Sequence, residues 1–158
     1  MEASARSRRE ETRSTMPVTA TWQKKMEFQV DFPEGETLTL TSVPLKKRPG
    51  NGPNPMDTVQ AAVVGCTGMD VVMILTKMRR DPKALRVEVE AVRRSEEPRV
   101  FTSMTLTYHI DGPKVDAAAA RRAVALSQDT YCSVSAMLRP TVELDYKIVL
   151  NGEEIPPQ

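Results

Sequence analysis

The stretch from Asn54 to Arg80 constrains this chain more than any other. It opens on Asn54-Pro55-Met56-Asp57. An Asn accepts from the first free amides of a helix, a Pro suits its first position, and an Asp faces the positive end of its dipole. Asp81-Pro82 closes it, because proline cannot continue a helix. Within it, Met69 to Leu75 reads Met-Asp-Val-Val-Met-Ile-Leu, apolar almost all the way round. Such a helix has to be covered on every side. Few other helices are predicted to cover it, so a partner subunit is one way of doing so. Gly65 and Gly68 each cost about 1 kcal/mol relative to Ala in a helix. One continuous helix and two helices broken near Cys66 both satisfy the pattern.

The flanking segments alternate with period two. Val18, Ala20 and Trp22, then Met26, Phe28, Val30 and Phe32, predict two strands around Lys24-Lys25, and Thr37 to Val43 predicts a third. Pro44 to Pro55, rich in Pro and Gly, is a loop. After the helix, Leu85 to Ala91 and Val100 to Ile110 form a hairpin joined through Ser95-Glu96-Glu97-Pro98. A helix from Asp116 to Tyr131, a helical turn or two through Leu138 and a strand from Thr141 to Leu150 complete the order βββ-α-ββ-α(α)-β. That order is α+β with mainly antiparallel pairing.

With 158 residues the chain is long enough for one domain with its own core, expected over 17–158. Residues 1–16 are rich in Arg, Glu and Ser and are expected to be a disordered tail that is neither a secretory signal nor a transit peptide. The 22 Lys and Arg nearly cancel the 21 Asp and Glu, so no global field draws the chain to nucleic acid or anionic lipid. No apolar run is expected to reach the roughly 20 residues of a membrane span. A cytoplasmic location with reduced thiols follows.

The chain has two cysteines, Cys66 and Cys132, each in a segment that reads as helix. Their separation, with a single histidine, fits no zinc spacing, and no metal or cofactor is expected. A reactive cysteine needs its thiolate, and a thiol of pKa about 8.5 is only about 3% ionised at pH 7 without help. A helix N-terminus or a nearby cation supplies that help. Cys66 would lie near such a terminus if Gly65 restarts a helix. Arg48, in Lys46-Lys47-Arg48-Pro49, could fold back as the cation. The blander readings are a buried apolar thiol at both positions, a solvated loop charge at Arg48 and an ordinary first-turn acid at Asp57. His109 lies opposite Met104, Leu106, Tyr108 and Ile110 in its strand and is expected to be solvated, with no special role.

Two segments carry a resemblance. Asn54-Pro55-Met56-Asp57 with Gly65-Cys66-Thr67-Gly68-Met69-Asp70-Val71-Val72 resembles the central motif of the OsmC/Ohr family. Ala123-Val124-Ala125-Leu126-Ser127 with Tyr131-Cys132-Ser133-Val134-Ser135-Ala136-Met137-Leu138 resembles its second cysteine motif. The likeness spans about residues 17–150 and implies an OsmC-like fold, an intertwined homodimer with central helices between antiparallel sheets. It also implies a thiol peroxidase of the oxidative-stress response that acts on organic hydroperoxides and is reduced by an external dithiol. Cys66 would be the peroxidatic cysteine and Cys132 its resolving partner, joined in a transient disulfide. Arg48 would stabilise the thiolate and Asp57 would hold Arg48, although relatives carry glutamate at the Asp57 position. The same fold is also compatible with a non-catalytic dimer that holds an apolar ligand, or with a redox sensor oxidised once without turnover.

Overall fold

A computed structural model of the chain describes residues 17–42 and 52–156. Segment 1–16 and Arg48 lie outside the described residues. The chain divides into two compact units, the first ending at Pro55 and the second starting at Met56.

The first unit is an antiparallel meander of β1 (Thr19–Lys24), β2 (Glu27–Asp31) and β3 (Thr37–Thr41). Ala20 pairs with Val30 and Trp22 with Phe28; Val30 in turn pairs with Leu38 and Phe28 with Leu40. Directly opposed residues share a face, so one face is apolar while Thr21, Gln29 and Thr39 line the other. Trp22 is 63% exposed on the apolar face. The third strand stops at Thr41, two residues before the expected Val43. Pro53 lies beside this strand, where Thr41 N donates to its carbonyl at 3.0 Å. This close approach requires glycine at 52: φ is +136°, and a Cβ there would sit 2.0 Å from the Thr39 carbonyl oxygen.

In the second unit α1 (Pro55–Lys77) runs without a break through Gly65, Cys66 and Gly68, which settles the choice between one helix and two. It ends where Arg79 turns into the left-handed region at φ +59°. Arg79 N then donates to Thr76 O and Arg80 N to Leu75 O, the Schellman pattern. At 23 residues α1 is long and apolar enough to cross a membrane, contrary to the expectation that no run would be. Val63, Thr67, Val71, Ile74 and Leu75 are nevertheless buried, and the apolar ones join the unit's own core. That makes α1 a core helix here.

The sheet of this unit has the order β4-β5-β6-β7: β4 (Ala84–Arg93), β5 (Phe101–Asp111), β6 (Glu143–Leu150) and β7 (Glu153–Ile155). β7 was not expected; it is a three-residue strand that folds back on β6 through Asn151-Gly152. Pairing is antiparallel except between β5 and β6, which run parallel. Parallel neighbours need a crossover connection, and here that connection is helical. The crossover contains α2 (Ala117–Leu126), capped by Asp116 Oδ1 on Ala119 N, a five-residue π-helical turn (Ser127–Tyr131) and α3 (Ser133–Leu138). The predicted single helix to Tyr131 is thus an α-helix that widens in its last turn. The core joins Val63, Val71 and Leu75 of α1 to Leu106, Tyr108 and Ile110 of β5, Ala120 and Val124 of α2 and Ile148 of β6. His109 faces away from this core, is 26% exposed, and its Nε2 donates to Glu88 Oε2 at 2.9 Å.

Candidate thiol site

Cys66 is the twelfth residue of a continuous helix, three turns from its start, so a helix N-terminus cannot favour its thiolate. Asp70, one turn further on, sits on the same flank of α1. Cys132 comes from the other side of the core, at the junction of the π turn and α3. The Sγ atoms of Cys66 and Cys132 and a carboxylate oxygen of Asp70 all lie within 4.8 Å of one another. Both cysteines are free thiols. Cys66 and Asp70 are half-buried, and Cys132 is 2% exposed.

The junction explains how Cys132 is held. The π turn closes with Cys132 N donating to Ser127 O at 2.8 Å. Cys132 then leaves helical geometry (φ −69°, ψ 102°) and its sulfur caps α3, accepting from Ser135 N at 3.4 Å and Ser135 Oγ at 3.2 Å. Burial pushes the Cys132 thiol above the usual cysteine range; the Ser135 bonds pull it back, and the neighbouring Cys66 adds to the rise.

Behind the thiols is a polar chain whose members other than Asp70 are buried. Ser127 Oγ donates to Asp70 Oδ2 at 3.0 Å. Its single proton is thereby used, so in the 2.7 Å contact with Thr67 Oγ1 it accepts and Thr67 donates. Thr67 in turn accepts from the Tyr108 hydroxyl at 2.6 Å. Gln128 Nε2 donates to both the Tyr108 oxygen (2.7 Å) and Thr67 Oγ1 (3.2 Å). Every donor in the run Tyr108→Thr67→Ser127→Asp70 therefore points towards the carboxylate, and each bond polarises the next. Burial raises the Tyr108 phenol to about 12, against smaller lowering effects from Thr67 and Gln128, so the chain starts from a neutral hydroxyl. Arg139 Nη2 donates to Gln128 O at 3.1 Å and ties down the π turn.

Of the four expected site residues, Cys66 and Cys132 are brought together. Asp57 is in the first turn of α1, nine residues before Cys66 and about 13 Å from it along the axis at 1.5 Å per residue. Arg48, as noted, is outside the described residues. The carboxylate beside the thiols in this chain is Asp70, which sequence reading did not single out. Sequence reading also missed Thr67, Tyr108, Ser127 and Gln128. A signal for them exists: Val63-Thr67-Val71 and Ala120-Val124-Gln128 follow i, i+4 spacing, so a polar residue occupies a core position in each. An adjacent flank of α1 lines a groove of about 510 Å³ with Gly65, Gly68, Met69, Val72 and Met73, which Val87 of β4 also lines. Met69 there is 71% exposed.

An α+β fold with a close cysteine pair between a long apolar helix and a βαβ crossover defines a class of proteins. The chain belongs to the OsmC-like protein family, whose pattern matches residues 48–147. It is 41% identical over 99 residues to protein YhfA of Escherichia coli K12, covering 61% of this chain and 74% of that protein. Among solved structures it is similar to a hypothetical protein from Aquifex aeolicus VF5 (26% identity, TM-score 0.72, covering 87% of this chain and 98% of that one). It also shares its fold with an organic hydroperoxide resistance protein OsmC from Legionella pneumophila (17% identity, TM-score 0.65, covering 86% and 98%).

Proposed function

We propose that the chain is a cysteine-based peroxidase for organic hydroperoxides that serves in oxidative-stress defence as a cytoplasmic homodimer of one OsmC-like domain over 17–158. The observation that carries this reading is the Cys66–Asp70–Cys132 cluster, with its sulfurs within 4.8 Å of each other. Family membership and the name of the Legionella relative support the choice of substrate class.

Cys66 is half-buried and therefore reachable, whereas Cys132 is enclosed and its thiol stays protonated. Cys66 is thus the nucleophile and Cys132 the resolving thiol. Asp70 takes the Cys66 proton, and the oriented hydroxyls behind it hold the carboxylate in place. The Cys66 thiolate attacks the terminal peroxide oxygen and breaks the O–O bond; the alkoxide takes a proton and leaves as alcohol, and Cys66 becomes a sulfenic acid. Cys132 then attacks that sulfur and expels water to form the disulfide. An external dithiol reduces it and is itself oxidised. Cys66 sits on a rigid helix while Cys132 sits at a helix junction, so Cys132 is the partner that moves to bonding distance. On the family resemblance alone, Arg48 is assigned as the cation that stabilises the thiolate and Asp57 as the acid that holds it. The exposed apolar face around Met69 and Met73 favours the dimer.

The test is consumption of cumene hydroperoxide by purified protein with excess dithiol. Turnover that disappears in Cys66→Ser and falls sharply in Cys132→Ser supports the peroxidase. Ligand binding that survives Cys66→Ser, with no turnover in wild type, selects the apolar-ligand dimer instead. A single stoichiometric oxidation selects the sensor.

A further inference from the structure

We infer that reduced Cys66, Asp70 and Cys132 form a three-donor site for a soft divalent cation of the zinc type. The spacing that argued against a metal considered cysteines and histidine only; the fold adds a carboxylate at i+4 from Cys66 and brings Cys132 across the core. The three ligand atoms lie within 4.8 Å of one another. A tetrahedral zinc ion with sulfur at about 2.3 Å and oxygen at about 2.1 Å needs S···S and S···O separations of about 3.6–3.8 Å. The donors therefore have to close by about 1.2 Å at most. Two of them share one face of a rigid helix, the i, i+4 arrangement that presents a pair of ligands together. The third sits at the non-helical junction that can follow.

The surroundings also fit. Ser127 Oγ holds one carboxylate oxygen and leaves lone pairs of Asp70 free, the second layer of hydrogen bonds that fixes a ligating carboxylate. Ser135 supplies two donors to the Cys132 sulfur, which compensate a ligating thiolate. Cys66 and Asp70 are half-exposed, so a water can complete the tetrahedron. Binding exchanges one cation for two thiol protons, which pass to solvent. The loaded site has no free thiolate, so the metal and an oxidant compete for the same sulfurs.

The site is tested by titrating the reduced full-length protein with Co2+ and recording the thiolate-to-cobalt charge-transfer band and the tetrahedral ligand-field bands, followed by displacement with Zn2+. The expected result is one Co2+ per chain, with the band lost in Cys66→Ser and Cys132→Ser and absent from peroxide-oxidised protein. Asp70→Asn should bind more than tenfold more weakly, and Ser127→Ala about tenfold more weakly through loss of its orienting bond. Zn2+ should also slow iodoacetamide labelling of wild-type Cys66, a measurement that needs no variant to fold. Octahedral spectra without a charge-transfer band, an unchanged affinity in Asp70→Asn, or no protection from labelling would each overturn the assignment. Turnover of hydroperoxide without Co2+ binding would overturn this site alone; Co2+ binding without turnover would overturn the peroxidase alone.

Discussion

Replacing Thr67 by Val tests the buried polar chain because it keeps the shape of the side chain and removes only its chemistry. Thr67 is fully buried and takes part in three hydrogen bonds, at 2.6, 2.7 and 3.2 Å. Without its oxygen, the buried Tyr108 hydroxyl proton has no acceptor, which costs about 1–3 kcal/mol. Ser127 loses a donor and Gln128 loses one of its two acceptors; each net loss adds about 0.5–1 kcal/mol. The sum is about 2–5 kcal/mol, or about 4–20 °C in Tm for a chain of this size. Thr67→Ser keeps the hydroxyl and deletes one buried methyl, at about 1 kcal/mol. Urea denaturation of the reduced proteins, followed by far-UV circular dichroism, should give wild type > Ser > Val in stability. If packing alone mattered, the order of the variants would invert, since Val fills the site with apolar volume and Ser leaves a void. A Val variant as stable as wild type would refute the hydrogen-bond accounting.

Further outcomes follow from single residues. The Tyr108 phenol titrates near 10 in the unfolded chain and at about 12 in the folded one, so the folded state keeps a proton that the unfolded state loses; stability should fall by up to about 2–3 kcal/mol as pH rises from 10 to 12, and this loss should be absent in Tyr108→Phe. Gly52→Ala drives a Cβ into the Thr39 carbonyl and should lower stability by about 2 kcal/mol or more, seen in chemical denaturation. Arg79→Gly removes the cost of a left-handed backbone at an exposed helix end and should raise stability by about 1 kcal/mol in the same assay.

Periodicity made the framework legible. Alternation in Ala20-Trp22 and Phe28-Val30 located β1 and β2, and Asn54-Pro55 and Asp81-Pro82 bracketed α1. The continuity of α1 through Gly65 and Gly68 was not legible, because propensity costs of about 1 kcal/mol each are smaller than what burial of Val63, Val71 and Leu75 returns. β7 carries too few residues to show a period, and the π turn differs from an α-turn only in its i+5 bonding. For the site, the two cysteines stood out by rarity and by family resemblance. Asp70, Thr67 and Ser127 stand inside the same quoted motifs, but their roles depend on three elements meeting, which no local pattern encodes. A rule seeking polar residues at core spacing would have found Thr67 and Gln128. It would not have found the direction of the hydrogen bonds, which follows only once Ser127 is seen to donate to Asp70.

The central claim is that Cys66 and Cys132 are chemical partners. The most direct measurement is peptide mapping by mass spectrometry, without reduction, after one equivalent of an organic hydroperoxide has been added to reduced protein. The account predicts a single intrachain link between the Cys66 and Cys132 peptides, two hydrogens lighter than their sum, and a dimedone-trapped sulfenic acid on Cys66 in Cys132→Ser. Unlinked cysteines in wild type, or oxidation that begins at Cys132, would contradict it.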